Sequence, residues 1–417
     1  MPRSPALSFL LVTVFVDMLG LGLVVPILPA LMTAVTGDVA DGARWSGVIG
    51  SSFGLLQFLV SPLLGRLSDR YGRRPVLLAS LACLGVDYLG HAVSTTAWLL
   101  LLFHGLAGAC AGTNTVVNAY IADVTEPERR ARAYGLVGAA FGLGFVAGPI
   151  VGGLLGAVDV RLPFYAAAGL AFANVAYGLL VLPESRRGDR TTPLGLRLAS
   201  PLGSVVGVLR RPLLGRLACA RFFADVARMT HQVSWTFFVT YQFAWSTAWV
   251  GFALAAGALA GAVFQACLVG PGVRWLGDKR AAVLGGALGA VALGGTALAS
   301  APWEVYALQS VGVVASIGGA AAQSWLSRAA GADEQGTVHG AVTGLGAVAE
   351  TVVPVAATAV FAWSLTYELP GLVFLAAAGF AALSTLWLAA TPAPAPTATP
   401  GPTATAGSDK ARGAAMK

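Results

Sequence analysis

The chain has 417 residues, of which 56% are hydrophobic and 11% are charged, and its mean hydropathy is +0.74. A soluble globular protein carries about a quarter charged residues, so this composition excludes that class and indicates a protein with many membrane spans. The net charge of +7 lies mainly in loops and termini, which argues against a nucleic-acid partner. The four cysteines stand singly in apolar runs, which predicts buried thiols and no metal site.

Twelve apolar runs are each long enough to cross a bilayer, which requires about 20 helical residues. They are predicted to be helices, because an open strand would leave backbone groups unpaired in hydrocarbon. The first run lacks a cleavage site, so we expect a retained helix and not a signal peptide. The predicted spans are 7–32, 45–65, 74–93, 97–121, 134–158, 162–182, 214–242, 248–270, 281–300, 303–329, 336–362 and 369–390.

A basic, proline-containing stretch separates two sets of six spans. The predicted fold class is therefore an all-α polytopic membrane protein with twelve transmembrane helices in two pseudo-symmetric six-helix bundles. The predicted segments are an N-terminal bundle (1–182), a cytoplasmic linker (183–213), a C-terminal bundle (214–390) and a disordered cytoplasmic tail (391–417).

An internal repeat supports this division. A shift of 205 residues places Gly72 on Gly277, although the second copy is degenerate, since Asp69 falls on Arg274. Two related halves are the arrangement of transporters that rock around a central site.

The distribution of basic residues predicts the topology. Only Arg44 and Arg161 fall in loops on one side of the membrane, and Arg221 and Arg228 fall within a span, while the other lysines and arginines lie on the opposite side. Basic loops stay in the cytoplasm, so both termini are predicted to be cytoplasmic.

The loop between the second and third spans contains Gly65, Asp69, Arg70, Gly72 and Arg73 in the spacing G-x-x-x-D-R-x-G-R-R. Its charge alone would fit a loop that does no more than set the topology. The spacing is more specific, and it resembles the signature loop of the major facilitator superfamily between the second and third helices. This resemblance implies the major facilitator fold and a role for these five residues in gating.

The fifth span contains Gly144, Gly148, Pro149 and Gly152 within a G-x-x-x-G-P-x-x-G-G string. Regularly spaced glycines let a neighbouring helix approach closely, and Gly148-Pro149 permits a bend. Ordinary close packing is one interpretation. The full string also resembles the fifth-helix motif of major facilitator drug antiporters, which implies conformational gating without substrate contact.

Ionisable residues inside spans are costly and therefore mark candidate functional sites. Asp17 lies near mid-depth in the first span, and Asp87 lies about thirteen residues into the third. In the fourth span His104 and Asn118 are two heptads apart, with Asn114 one turn from Asn118, which predicts a polar stripe. Proton binding and relay is one interpretation, and hydrogen bonding between helices is the other.

The seventh span carries Arg221, Asp225, Arg228 and His231 at helical spacing. An Arg221–Asp225 pair is expected. Arg228 sits near mid-depth and requires an anion, and Glu350 in the eleventh span is the matching acid for a structural pair, with a substrate as the alternative.

Several large polar and aromatic side chains in the second half are candidates for a substrate cavity, with packing as the alternative interpretation. We name Trp235, Gln265 and Gln323 together with Asn114, Asn118, Arg228 and His231.

The chain lacks the phosphate-binding loop, the nucleophile elbow and the zinc-protease motif, so it is not predicted to be an enzyme or an ATP-driven pump. An ion gradient remains as the energy source, and no cofactor is expected.

From Val14 to Phe361 the chain most resembles the tetracycline/proton antiporters, on stretches that include Asp17–Pro26 and Val86–Tyr88. The resemblance implies that the acids matching Asp17 and Asp87 are essential. It also implies exchange of a proton for a drug, in which magnesium would enter only as part of a tetracycline chelate. His104 replaces an arginine of that family, and Gly261 and Gly289 replace its membrane histidine and aspartate.

We therefore predict a monomeric, proton-coupled exporter of a small amphipathic, tetracycline-like drug in the plasma membrane, with protons and lipid as its other partners. Proton coupling is assigned to Asp17, Asp87, His104 and Glu350. Two alternatives stay open, namely a carrier of a small anionic metabolite anchored by Arg228 and a non-transporting membrane sensor with the same fold.

Overall fold

The computed structural model describes residues 5–111, 113–185, 201–330 and 335–392, and within these ranges every regular element is a helix. The linker residues 186–200 and the tail from residue 393 onward lie outside the described residues. Ten of the described helices are long and apolar enough to cross a membrane. Two further helices, one interrupted and one rich in charge, bring the described set to the twelve that were predicted.

The twelve helices, in chain order, are α1 (Leu7–Thr36), α2 (Val39–Tyr71), α3 (Arg73–Val93), α4 (Ala97–Cys110 and Thr113–Val124), α5 (Pro127–Val158), α6 (Leu162–Val181), α7 (Pro212–Phe243), α8 (Thr247–Leu276), α9 (Asp278–Leu298), α10 (Pro302–Ala329), α11 (Gln335–Leu365) and α12 (Leu372–Ala390). A short linker helix, Pro201–Leu209, packs against α11. We refer to α1–α6 as the N-lobe and to α7–α12 as the C-lobe.

Polar residues extend some helices beyond their apolar runs. α2 was predicted over 45–65, yet it begins six residues earlier, because the Asp38 carboxylate accepts hydrogen bonds from two N–H groups of the first turn at 3.0 and 3.1 Å. Its other end projects beyond the apolar run to Tyr71. Hydropathy marks only the part of a helix that lies in hydrocarbon.

The same glycine turn occurs in both lobes. Gly72 (φ +102°, ψ 159°) ends α2 and begins α3, and Gly277 (φ +76°, ψ 157°) ends α8 and begins α9. These positive φ angles favour glycine, which has no Cβ. The two glycines are the pair related by the 205-residue shift, so the repeat is present in backbone conformation as well as in sequence.

The α2–α3, α4–α5 and α8–α9 connections, which include Gly72 and Gly277, lie at one end of the bundle, and we refer to this end as the basic face. The other end, which includes the α1–α2, α7–α8 and α11–α12 connections, is the opposite face. The lobes meet mainly through α2 against α11 and α5 against α8.

Toward the opposite face, one hydrophobic cluster is shared by the two lobes. It contains Ile49 and Phe164 of the N-lobe together with Phe237 and Phe361 of the C-lobe. Two hydrogen bonds cross the interface there: the Thr247 hydroxyl donates to the Gly153 carbonyl at 3.1 Å, and the Val355 N–H donates to Ser51 Oγ at 3.3 Å. These contacts join the lobes at the opposite face.

Toward the basic face, each lobe has its own core. Phe9 and Tyr120 belong to a cluster formed by the N-lobe alone, and Leu217 and Trp325 belong to one formed by the C-lobe and the linker helix. Glycines in these halves of the interface helices, such as Gly138 of α5, border open space. The lobes therefore diverge from the middle of the bundle toward the basic face.

Candidate functional site

The loop residues between α2 and α3 form an ionic cluster at the basic face, which we refer to as the N-lobe clamp. The buried Arg73 guanidinium contacts Asp69 at 2.7 Å and Asp123 of α4 at 3.2 Å, and it donates to Ser68 Oγ at 2.5 Å. Glu184, after α6, accepts the Arg73 N–H at 2.8 Å at the start of α3. The clamp thus ties four chain segments together.

The predicted gating residues have unequal surroundings. Asp69 and Arg73 are clamp members, Gly72 supplies the turn beside Glu184, the Gly65 carbonyl accepts a bond from the Ser68 hydroxyl, and the Arg70 guanidinium lies over the Tyr71 ring. Asp123 and Glu184 were not predicted as site residues. Their involvement depends on packing between helices distant in sequence.

The C-lobe has a clamp of inverted charge. Shifting Arg73 and Asp123 by 205 residues gives Asp278 and Arg328, and these two side chains form an ion pair. The Asp278 carboxylate is almost fully buried. The 205-residue shift also relates Asp69 of the N-lobe to Arg274 of the C-lobe, so the sign of the charge is reversed at that position as well. The 205-residue repeat predicts this pair when it is extended to α4 and α10.

The glycines of the α5 string face α1 within the N-lobe. A Cβ on Gly144 would lie 2.9 Å from the Met18 Cβ, and one on Gly148 would lie 2.6 Å from the Gly22 Cα. Gly152 lies equally close to the backbone of Leu23. These three glycines therefore allow backbone-to-backbone packing of α5 on α1.

The neighbouring residues of the string face the other lobe. Pro149 lies against Gly251 of α8, and Gly153 lies against Thr247. One short helical segment thus takes part both in packing within the N-lobe and in the contact between the lobes.

Asp87 is the centre of a buried polar cluster in the N-lobe. Its carboxylate oxygens lie 3.0 Å from His91 Nδ1 and 3.1 Å from His104 Nδ1, and the carboxylate is 2% exposed. The His91 ring stacks on Phe164, and the His104 ring stacks on Phe53. The histidine side chain at 104 is 28% exposed, so it links the buried carboxylate to the exterior of the protein.

His91 stands near the outer end of the third predicted span, a position that predicts a hydrated residue at the membrane interface. This prediction is wrong, because the side chain is buried and accompanies Asp87 one turn away. Packing of α3 against α4 and α6 excludes solvent there.

The polar stripe predicted along the fourth span is interrupted. α4 breaks between Cys110 and Thr113, and spacing across a break no longer decides which side chains share a face. Asn118 is exposed, and its backbone carbonyl accepts the Tyr134 hydroxyl at 3.3 Å. The side chain of Asn114 lies outside the described residues.

Asp17 lies half-buried in α1. Its Oδ1 atom is buried and makes no hydrogen bond with any residue that the structure describes. A carboxylate in that setting is costly unless it binds a proton or a cation.

The charged face predicted for α7 is present. Arg221 Nε donates to Asp225 at 2.8 Å, as expected, and Arg228 Nε lies 3.5 Å from the other oxygen of the same carboxylate. Arg228 also donates to Gln232 Oε1 at 3.2 Å. The expected Arg228–Glu350 pair does not form. The Arg228 guanidinium lies instead beside Asp225, one turn away, and in the described residues Glu350 has neither a hydrogen bond nor an ion pair.

A cavity of about 530 Å³ lies within the C-lobe between α7, α8, α9, α10 and α12. Arg221, Asp225, Arg228, His231 and Trp235 line its α7 side. Small residues form most of the remaining wall, and their lack of bulk leaves the volume of the cavity open. They include Gly257, Gly261, Gly285, Gly289 and Gly312.

Three predicted cavity residues, namely Asn118 of the N-lobe, Gln265 and Gln323, do not line this cavity. Gln265 is exposed within a π-helical turn of α8. Gln323 accepts a hydrogen bond from Arg221 at 3.5 Å and borders a separate small depression. Gln309, which was not predicted, lines the cavity from α10 and donates to the Ala253 carbonyl at 3.0 Å.

Two helical lobes that contain intramembrane charges and meet at one face define the class of secondary transporters. The model of the Major Facilitator Superfamily matches residues 10–354, and the chain belongs to this superfamily. It is therefore a multi-pass membrane protein that transports small molecules and not an enzyme, as predicted.

Several relatives are resistance proteins. Tetracycline resistance protein class C of Escherichia coli is 36% identical over 364 residues, which cover 87% of this chain and 91% of the relative. The class G protein of Vibrio anguillarum is 34% identical over 360 residues, covering 86% and 91%. Multidrug resistance protein 1 of Bacillus subtilis is 28% identical, covering 66% and 69%.

Solved structures support the fold. The nucleoside transporter NupG aligns with a TM-score of 0.76 at 13% identity, covering 93% of this chain and 99% of that chain. A bacterial homologue of the human lysosomal transporter Spinster, in an inward-facing and unoccupied conformation, aligns with a TM-score of 0.70 at 16% identity, covering 92% and 95%. At such identities the likeness concerns the fold alone.

Proposed function

We propose that this protein exports an amphipathic, tetracycline-like drug across the plasma membrane in exchange for protons, as a monomer with both termini in the cytoplasm. The names of its tetracycline resistance relatives support the substrate class. The observation that carries the coupling is the nearly inaccessible Asp87 carboxylate between two histidines. Such a group at membrane depth is maintained at high energetic cost and suits reversible proton binding.

In this proposal His104 conducts protons between the exterior and Asp87, because it is the cluster member that reaches the surface. Asp17 is a second proton site, since its buried oxygen has no partner in the described residues. Glu350 stays a third, weaker candidate. The drug enters from the basic face, where the lobes diverge, and the cavity lined by α7 receives it.

Switching between the two faces requires the contact at the opposite face to form and separate in turn. The α5 string and α8 carry part of that contact, and the two clamps at the basic face hold each lobe together while the lobes move. The proton-loaded and drug-loaded states would favour different arrangements of this interface.

Efflux measurements test the function. Cells that lack their own pumps and express this chain should accumulate less labelled tetracycline than cells without it, and a protonophore should abolish the difference. Everted membrane vesicles should take up the drug when their interior is made more acidic than the external medium. Unchanged accumulation of tetracyclines and every other amphipathic drug tried would contradict the proposal, and binding without flux in vesicles would favour a sensor.

A substitution at the lobe interface tests the switching step. Gly153→Val should leave the protein in the membrane but stop export, because a side chain there would overlap the Thr247 carbonyl and Ala248. Initial efflux rates normalised to membrane protein measure the effect. The matched control is Gly169→Val in α6, where an added Cβ has no neighbour within 4 Å. Normal export by Gly153→Val would show that this contact is not needed.

A further inference from the structure

The C-lobe cavity contains an uneven set of charges. Arg221 and Arg228 both contact Asp225, which is the one acid among the described residues that line the cavity. Two guanidinium groups therefore share a single carboxylate. The cavity wall carries an excess positive charge, before any contribution from His231.

Arg228 is the guanidinium that remains available. Its contact with Asp225 is long, at 3.5 Å, whereas Arg221 donates to the same carboxylate at 2.8 Å. The Arg228 side chain is 56% exposed although it lies on a membrane helix, and it also donates to the neutral Gln232. Glu350 of α11 lies near enough to interact electrostatically with Arg228 but forms no ion pair with it and does not line the cavity. A guanidinium has five donors, so it retains donors for an incoming anion.

The rest of the wall suits an apolar ring system. Glycine and alanine residues leave a smooth apolar surface. The buried Trp235 lies beside His231, with ring centroids 6.4 Å apart. The volume of about 530 Å³ falls in the range of small-molecule sites, about 300–1,000 Å³. An amphiphile with one charged end and a planar body fits both features.

We propose that this cavity binds a planar apolar ligand through an anionic group, such as a carboxylate or an enolate, with Arg228 as the anion's partner and without a bridging metal ion. The inference rests on the proposed export function and specifies its substrate class. A cationic metal chelate is disfavoured, because the one carboxylate of the wall is already bound by two arginines. The positive charge of the cavity wall therefore attracts the negative group of the ligand itself.

Binding to the purified protein in phosphatidylcholine nanodiscs tests the inference. The probes are anthracene-2-carboxylate and its uncharged methyl ester, measured by fluorescence titration in EDTA. The acid should bind in EDTA and at least about tenfold more tightly than the ester, a difference of about 1.4 kcal/mol. Arg228→Gln should remove this preference and leave ester binding unchanged, whereas Arg228→Lys should keep part of it.

Arg216→Gln is the matched control, since Arg216 is an exposed arginine of α7 that does not line the cavity. Equal binding of acid and ester, a requirement for Mg²⁺, or an unaltered preference in Arg228→Gln would overturn the inference. The efflux assay separates the two proposals. Anion binding without drug export would refute the export function alone, and export with no preference for the acid would refute the anion site alone.

Discussion

Asp87→Asn is expected to abolish proton-driven drug efflux. Asparagine keeps the shape of the side chain and still hydrogen bonds to His104, but it cannot exchange a proton. The initial rate of gradient-driven uptake into everted vesicles should fall at least about a hundredfold, which corresponds to about 2.7 kcal/mol. The protein should remain folded in the membrane, because the substitution removes a buried charge and leaves no cavity.

Asp41→Asn is the control for this variant, because the Asp41 side chain is 55% exposed and pairs with Arg44 on the surface of α2. It should transport normally.

His104→Gln should slow transport by interrupting the link from Asp87 to the exterior, and His91→Gln should have a smaller effect, since that ring is buried. Transport by Asp87→Asn at the normal rate would exclude this carboxylate from coupling.

Arg73→Ala should have the second large effect, on both stability and export. It removes the cation of the N-lobe clamp that contacts both Asp69 and Asp123, so each of these acids loses an ionic contact. Removing one partner of a fully buried ion pair costs about 3–5 kcal/mol, and the loss here should be smaller, because the Asp69 and Asp123 side chains are 39% and 22% exposed. Thermal inactivation of the purified protein measures the loss of stability, and vesicle uptake measures the loss of export.

The control is Arg129→Ala, whose ion pair with Glu126 is exposed and contributes about 0–1 kcal/mol.

The C-lobe clamp provides an independent check. Arg328→Asp should destabilise the protein by placing two acids together, and adding Asp278→Arg should restore much of the loss by reversing the pair. If the double variant is no more stable than Arg328→Asp alone, the ion pair of the C-lobe clamp does not contribute to stability.

The apolar runs determined the membrane class and the approximate helix positions, because the hydrophobic requirement of a bilayer acts on contiguous residues. Local spacing likewise predicted the Arg221–Asp225 pair, since both partners lie one turn apart on α7. Helix ends at Asp38 and the break in α4 were missed, because caps and breaks depend on polar contacts and backbone angles that hydropathy does not register.

Tertiary packing decided the composition of the sites. His91 joined Asp87 because α6 covers it, Arg228 lay beside Asp225 and formed no pair with Glu350, and Glu184 reached the start of α3 from beyond α6. The cavity exists because small residues from five helices face each other. Such contacts join residues far apart in sequence, and a single chain carries no periodic signal of which helices will be neighbours. The sequence by itself therefore determined that this is a transporter of two repeated helical halves, whereas the arrangement of the helices decided which charges meet.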